Sequence, residues 1–294
     1  MFAGPLLCAL SVACVWYLIR QTPPHRKLLW SANSVSLPHK LLAGLAGCLF
    51  VRGVWLVAHG LNGEGFTRFP SPLGTLIAAF DLLVGGGLWD IGWSAWRVFV
   101  GFGIAAAASV LLAYGIALSS ITTLAYDPPL SFIRYIPPTA FTALLVIYLG
   151  TGEVYKIGLI FVGVFFFNFR MSLDILEDFD VRCVLLARLA GEAQKRGQST
   201  LWRFSTTVVP WSLPRLWDVL RINLSFAWTF LVVAELNATE FGLGKVMQLA
   251  RRQNEVELVW ACMLLFGVIG LLTDQTMAQI KRILFPWHDD ATSS

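Results

Sequence analysis

The sequence alternates long apolar runs with short polar segments. The apolar runs cover residues 2–19, 41–59, 98–126, 135–148, 154–169, 219–236 and 258–274. A helix needs about 20 apolar residues to cross the hydrocarbon core of a bilayer, and most of these runs approach or exceed that length. The pattern therefore predicts an all-α polytopic membrane protein with about seven transmembrane helices.

Glycine and proline mark the connections between these runs. Residues 62–90 contain several of both and predict a loop, with a short interfacial helix near residues 73–77. Two proline pairs, at residues 128–129 and 137–138, separate one run from the next, because proline lacks the amide proton that a helix interior needs. Small residues such as Gly101, Gly103 and Ser109 predict a helix surface on which another helix packs closely.

The distribution of charge gives the predicted helices an orientation. Of the 294 residues, 56% are hydrophobic and only 14% are charged, against about 25% in soluble domains. Lys and Arg are concentrated in residues 20–40, 170–218 and 281–282, which the positive-inside rule assigns to the cytoplasm, so the chain is predicted to start outside. The net charge of +4 forms no continuous basic patch, and a nucleic-acid partner is not expected.

The first apolar run has two interpretations. It is either a retained transmembrane helix or a secretory signal, and the absence of Lys and Arg before it favours the retained helix. The predicted organisation is then an additional N-terminal span with a basic cytoplasmic linker over residues 1–40. A transmembrane domain over residues 41–288 follows, with a cytoplasmic loop at residues 170–218.

The sequence contains no motif that predicts an active site. Neither a phosphate-binding G-x-x-x-x-G-K-[ST] loop nor a G-x-S-x-G or H-E-x-x-H motif is present. The five cysteines form no C-x-x-C pair and the four histidines have no ligand spacing, so we expect no metal site. The chain is therefore predicted not to be an enzyme, and any energy for transport must come from a partner or an ion gradient.

A few charged and aromatic residues within the apolar runs or next to their ends are candidates for a translocation pathway or gate, since such residues are costly in a bilayer. These candidates are Arg52, Arg97, Trp228 and Glu235. Arg52 is also close enough to the end of its run to reach the interface. Glu235 and Asp274 are expected to pair with a cation such as Arg97 or Arg52 rather than to contact a substrate.

The polar loop at residues 170–218 contains a charged segment that must lie in water between two spans. It predicts a helix that turns at Gly197 and a second helix from Ser199 that Pro210 closes. The segment resembles the pattern E-A-A-x3-G-x9-I-x-L-P of ABC importer permeases when it is anchored on Gly197 and Pro210. Ala193 then matches, and the acidic residue lies one position late, at Glu192.

Several further motifs follow in the order seen in permeases of the nitrate/sulfonate/taurine/bicarbonate group, and the resemblance covers about residues 66–288. They are Phe69-Pro70-Ser71-Pro72, Gly87-Leu88-Trp89, Ile136-Pro137-Pro138-Thr139-Ala140, Gly150-Thr151-Gly152-Glu153, Trp228 with Ala234-Glu235, Gly242-Leu243-Gly244 and Pro286-Trp287.

The resemblance implies an inner-membrane permease that moves a small oxyanion such as nitrate, a sulfonate, taurine or bicarbonate. It also implies a second copy of the chain, two ATPase subunits that carry ATP-Mg on the cytoplasmic face, and a periplasmic substrate-binding protein. Glu192, Ala193, Gly197 and Pro210 are then the expected ATPase-coupling residues, and the chain itself is expected to bind membrane lipid but no cofactor. The alternatives are an ion-gradient-driven secondary transporter, a membrane-embedded enzyme and a regulatory membrane protein.

Overall fold

The computed structural model describes residues 37–60, 69–117, 135–189, 208–237 and 240–289, together with a few isolated positions outside these ranges. The regular elements in these ranges are all helical. They are α1 (Leu37–Gly60), α2 (Pro72–Leu82), α3 (Leu88–Ala117), α4 (Phe141–Leu149), α5 (Glu153–Leu189), α6 (Val209–Asn237), α7 (Leu243–Gln253), α8 (Val256–Leu284) and α9 (Pro286–Asp289).

Five helical segments in the described ranges are long and apolar enough to cross a membrane. They are Leu41–His59, Pro72–Ala117, Glu153–Asp178, Val209–Asn237 and Val256–Leu284, and a shorter apolar helix covers Pro138–Leu149. These helices confirm the predicted all-α polytopic class. The predicted first span at residues 2–19 lies outside the described ranges, apart from isolated positions.

The predicted loop at residues 62–90 is wrong over much of its length. Helix α2 covers Pro72–Leu82, a π turn covers Leu83–Gly87, and α3 begins at Leu88 rather than near residue 98. Gly86 has φ 100°, which interrupts regular helix geometry at this point. The apolar spacing of residues 73–84 therefore outweighs the glycines, which produce a break instead of a loop.

The predicted role of Pro210 as the end of a helix is also wrong. Pro210 lies in the first turn of α6, where the missing amide proton costs nothing because the first helical N–H groups have no intrahelical acceptor. Helix α5 continues to Leu189, so the predicted cytoplasmic loop at 170–218 begins and ends within helices. Glu192, Ala193 and Gly197 lie outside the described residues.

The chain forms two compact units, of which the first comprises residues up to Leu82 together with Ala250–Ala261. In this unit Trp55, Phe69 and Trp260 form an aromatic cluster, with ring centroids of neighbouring pairs 5.1 to 6.4 Å apart. Ser71 precedes α2, and its Oγ accepts a hydrogen bond from the Gly74 amide at 2.9 Å. The Phe-Pro-Ser-Pro motif thus begins α2 with a capped first turn.

The second unit, Leu83–Leu249 and Cys262 onward, is built around α3, α5 and α6. Its main core contains Phe102 from α3, Val164 from α5 and Trp228 from α6. A Cβ atom on Gly101 would lie 3.0 Å from the Ile160 side chain, so α3 and α5 approach closely at this point. The predicted small-residue packing surface on α3 is therefore confirmed at Gly101, and Ser109 is buried as well, whereas Gly103 is exposed.

Charged side chains of the second unit form two layers, one near each end of the membrane-spanning part of α5 (Glu153–Asp178). One layer contains Asp90, Arg97, Glu153, Lys156 and Glu235. The other contains Arg170, Asp174, Asp178, Arg215, Asp218 and Lys281. Glu153 and Asp178 are separated by roughly 38 Å along the helix, which matches a bilayer including part of its interfaces.

Candidate functional site

The most extensively paired charged group in the described ranges lies at the beginning of α5, and we call it the Arg97 cluster. It contains Asp90, Ser94, Arg97, Glu153, Lys156, Glu235 and the backbone of residues 241–244. Helix α3 supplies three of these side chains, while α5 and α6 supply the others. All of them lie in the layer that the charge distribution assigns to the outer face.

Arg97 is the centre of the cluster and is completely buried. Its Nε and Nη2 donate to the two Glu153 carboxylate oxygens, at 2.6 and 2.8 Å. Its Nη1 donates to Glu235 Oε1 at 2.6 Å and to the Phe241 carbonyl oxygen at 2.7 Å. The planar guanidinium thus binds one carboxylate with both ends of its fork and a second with the remaining nitrogen, an arrangement that lysine could not reproduce.

Glu235 is the second buried member, also with no exposed surface. Besides Arg97, its carboxylate accepts hydrogen bonds from Ser94 Oγ at 2.8 Å and from the Gly244 amide at 2.8 Å. The expected pairing of Glu235 with Arg97 is therefore present. A buried carboxylate is tolerated only when its oxygens are matched by donors, and this one has three.

The Gly242-Leu243-Gly244 motif places backbone donors against this carboxylate. Gly242 has φ 127°, a conformation that other residues adopt only with strain, and its amide donates to Asp90 at 2.8 Å. A Cβ atom added to Gly242 would lie 2.5 Å from Glu235 Oε1, and one added to Gly244 would lie 2.5 Å from Glu235 Cβ. Glycine is therefore required at both positions, and the motif ties the start of α7 to α3 and α6.

The candidate pathway residues have different environments. Arg52 belongs to the first unit and is exposed on α1. Trp228 is buried in the core of the second unit, and its Nε1 donates to Thr273 Oγ1 at 3.2 Å. Asp274 pairs with Arg221 rather than with Arg52 or Arg97, through two hydrogen bonds of 2.6 Å. Two cations of the spanning helices, Arg97 and Arg221, are thus bound to carboxylates.

A second polar group lies inside the second unit and was not identified as a site from the sequence. Asn223 of α6 donates from Nδ2 to Asn168 Oδ1 of α5 at 2.6 Å, and both side chains are buried. Asn168 Nδ2 and Ser172 Oγ are buried, and neither has a hydrogen-bond partner among the residues that the structure describes. The available signal was an asparagine inside the apolar run at residues 154–169, since amide side chains are rare and costly in lipid.

Residues 100–284 match the model of the family described as "binding-protein-dependent transport system inner membrane component". The chain belongs to this family. It is accordingly a multi-pass inner-membrane protein and a permease component of a transport system.

Relatives within this family carry names that refer to small oxyanions. SsuC of Bacillus subtilis (strain 168), named for aliphatic sulfonates transport, is 28% identical over 92% of each chain. TauC of Escherichia coli (strain K12), a taurine transport system permease protein, is 32% identical over 56% of this chain and 58% of its own. CmpB of Synechococcus elongatus, a bicarbonate transport system permease protein, is 24% identical over 82% and 88%. The family resemblance drawn from the ordered motifs is thus confirmed.

Proposed function

We propose that this chain forms the translocation pathway of an ABC importer for a small oxyanion, of the class to which sulfonates, taurine and bicarbonate belong. The observation that carries the proposal is the family match over residues 100–284, together with relatives named for these substrates. The absence of a nucleotide-binding motif in the sequence supports ATP hydrolysis on a separate subunit. Nitrate, a further member of the oxyanion class, belongs in the same substrate screen.

We further propose that two copies of the chain assemble with two ATPase subunits on the cytoplasmic face and a substrate-binding protein outside. The charged segment at Glu192, Ala193 and Gly197 would contact the ATPase. Pro210 begins α6, so movement of this segment would be transmitted directly into a spanning helix that carries Asn223 and Glu235. Rigid helices can carry such a movement across the bilayer as a rigid-body shift.

The test is affinity purification of the tagged chain from its native membranes in mild detergent, followed by identification of the recovered proteins. We expect an ATPase subunit to be recovered with the wild-type chain and to be lost with Gly197→Pro, because proline restricts the backbone where the segment must turn. Gly103→Pro is not a suitable control, since it would break α3. Gly103→Ala serves instead, because an added Cβ meets no atom within 4 Å.

Two results would contradict this proposal. Recovery of the ATPase at wild-type levels with Gly197→Pro would remove the coupling role of the segment. Recovery of the chain without any ATPase, combined with uptake into liposomes that follows a proton or sodium gradient, would favour a secondary transporter instead.

A further inference from the structure

The polar group between α5 and α6 lies between two apolar layers of the second unit. On one side are Ile160 and Val164 of α5, which belong to the main core. On the other side are Leu173 and Leu176, which belong to a separate apolar cluster. Asn168 lies roughly 22 Å along α5 from Glu153, and Ser172 lies roughly 28 Å from it. Ser172 is between Arg170 and Asp174 of the second charged layer, so this polar group lies at the end of the membrane-spanning part that is opposite the Arg97 cluster.

The hydrogen-bonding state of this group is unusual for a membrane interior. Asn168 and Ser172 are completely buried, and they are on the same face of α5 because they are four positions apart. Within the described part of the chain, the Asn168 amide nitrogen and the Ser172 hydroxyl have no hydrogen-bond partner, although such buried groups are normally satisfied. An unsatisfied buried donor is costly, and an acceptor that is bound during part of a transport cycle would satisfy it.

We propose that Asn168, Ser172 and Asn223 form a neutral hydrogen-bonding station for the transported oxyanion. The proposal rests on the proposed function and adds the residues that contact the substrate inside the membrane. An amide N–H and a hydroxyl both donate to the oxygens of a sulfonate, nitrate or bicarbonate. Helices α5 and α6 must part before an anion can reach these buried donors, as alternating access requires.

The charges of the spanning helices favour neutral donors for this task. Arg97 is bound to Glu153 and Glu235, and Arg221 is bound to Asp274. A cation released from such a pair would leave a carboxylate without its partner, which is costly for the buried Glu235. Neutral donors need no counter-charge, and they hold an anion weakly enough for it to leave on the other side.

The first test compares Ser172→Ala with Ser109→Ala in the purified transport assembly. Ser109 is a matched control, because it is a completely buried serine of a spanning helix whose hydroxyl already donates to the Ala106 carbonyl oxygen at 3.0 Å. We expect Ser172→Ala to reduce ATP-dependent oxyanion uptake by about tenfold or more, as for a lost hydrogen bond to a charged partner. Ser109→Ala should stay within about twofold of the wild type.

Thermal stability separates a substrate contact from a structural role. Removing a buried hydroxyl that has no partner removes a desolvation cost, so Ser172→Ala should unfold at the same temperature as the wild type or higher. Reduced uptake with unchanged stability supports the station. Unchanged uptake overturns it, as does a reduction in uptake that is matched by an equal loss of stability, since Ser172 would then only hold α5 against its neighbours.

A second test measures access to the station with a cysteine at position 172 in a variant whose five native cysteines are replaced. The Ser172→Cys thiol should react slowly with 2-sulfonatoethyl methanethiosulfonate at rest and faster during ATP turnover, and taurine should slow the reaction. Ser109→Cys should remain unreactive in both states. Equal reactivity of the two cysteines overturns the proposal. A wild-type assembly that transports no oxyanion would instead contradict the proposed function, whatever the variants do.

Discussion

Replacement of Glu235 by alanine tests whether the Arg97 cluster holds the second unit together. The change removes the acceptor of three hydrogen bonds, from Arg97 Nη1, Ser94 Oγ and the Gly244 amide. Breaking one side of a buried ion pair typically costs about 3–5 kcal/mol, because the remaining charge stays buried without its partner. Arg97 retains its hydrogen bonds to Glu153 and to the Phe241 carbonyl oxygen in this variant. We therefore expect a loss of stability at the lower end of that range.

The assay is thermal unfolding of the purified protein in detergent, followed by the loss of helical circular dichroism. For a chain of this size about 1 kcal/mol corresponds to roughly 2–4 °C, so Glu235→Ala should lower the midpoint by about 6–12 °C. Glu240→Ala is the matched control, because Glu240 lies exposed close to the same Gly-Leu-Gly motif and its side chain is not part of the cluster. It should shift the midpoint by no more than about 2 °C.

A double variant shows whether the loss comes from the pair itself. Arg97→Met combined with Glu235→Met removes both buried charges, and a buried pair can often be replaced by apolar side chains with little cost. We therefore expect the double variant to be clearly more stable than the sum of the two single changes predicts. Additive losses, or a Glu235→Ala shift no larger than that of Glu240→Ala, would refute the reasoning.

Two further predictions follow from single contacts in the second unit. Gly242→Ala should destabilise the protein by at least about 2 kcal/mol, because Gly242 has a positive φ. Gly103→Ala should be neutral. Equal thermal unfolding midpoints for the two variants would contradict this prediction. Tyr114→Phe should lower the free energy of unfolding by about 1 kcal/mol, because it removes the 2.7 Å hydrogen bond between the Tyr114 hydroxyl and Ser212 Oγ. Tyr148→Phe is the control and should have no measurable effect, because Tyr148 is exposed. A Tyr114→Phe protein as stable as the wild type would contradict this prediction.

The sequence predicts the helical class and much of the outer charge layer for simple physical reasons. Apolar runs long enough to span a bilayer have few alternatives to helix, because every backbone polar group must be satisfied inside the lipid. Glu235 near the outer end of a spanning run likewise needs a cation as a partner, and Arg97 lies next to the predicted outer end of another run. The pairing could therefore be anticipated, although the bidentate contact of Arg97 with Glu153 could not.

Other features depend on tertiary packing that no local pattern encodes. The short helix predicted near residues 73–77 is present, but its extension to Leu82 and the start of α3 at Leu88 were obscured by the glycines at residues 85–87, which are compatible with either a loop or a helix break. Pro210 was misplaced because proline ends one helix or begins another with equal ease. The unsatisfied donors of Asn168 and Ser172 become visible only when α3, α5 and α6 are packed, since burial is a property of all three helices.

The proposed function requires this chain to move an oxyanion in an ATP-driven assembly. The most direct measurement is uptake of labelled taurine, an alkanesulfonate, bicarbonate or nitrate into proteoliposomes that contain the assembly purified from native membranes, with ATP enclosed and the external binding protein added. We expect at least one of these anions to accumulate, and this accumulation should require both enclosed ATP and the binding protein. Uptake that persists without ATP and collapses with the proton or sodium gradient would contradict it.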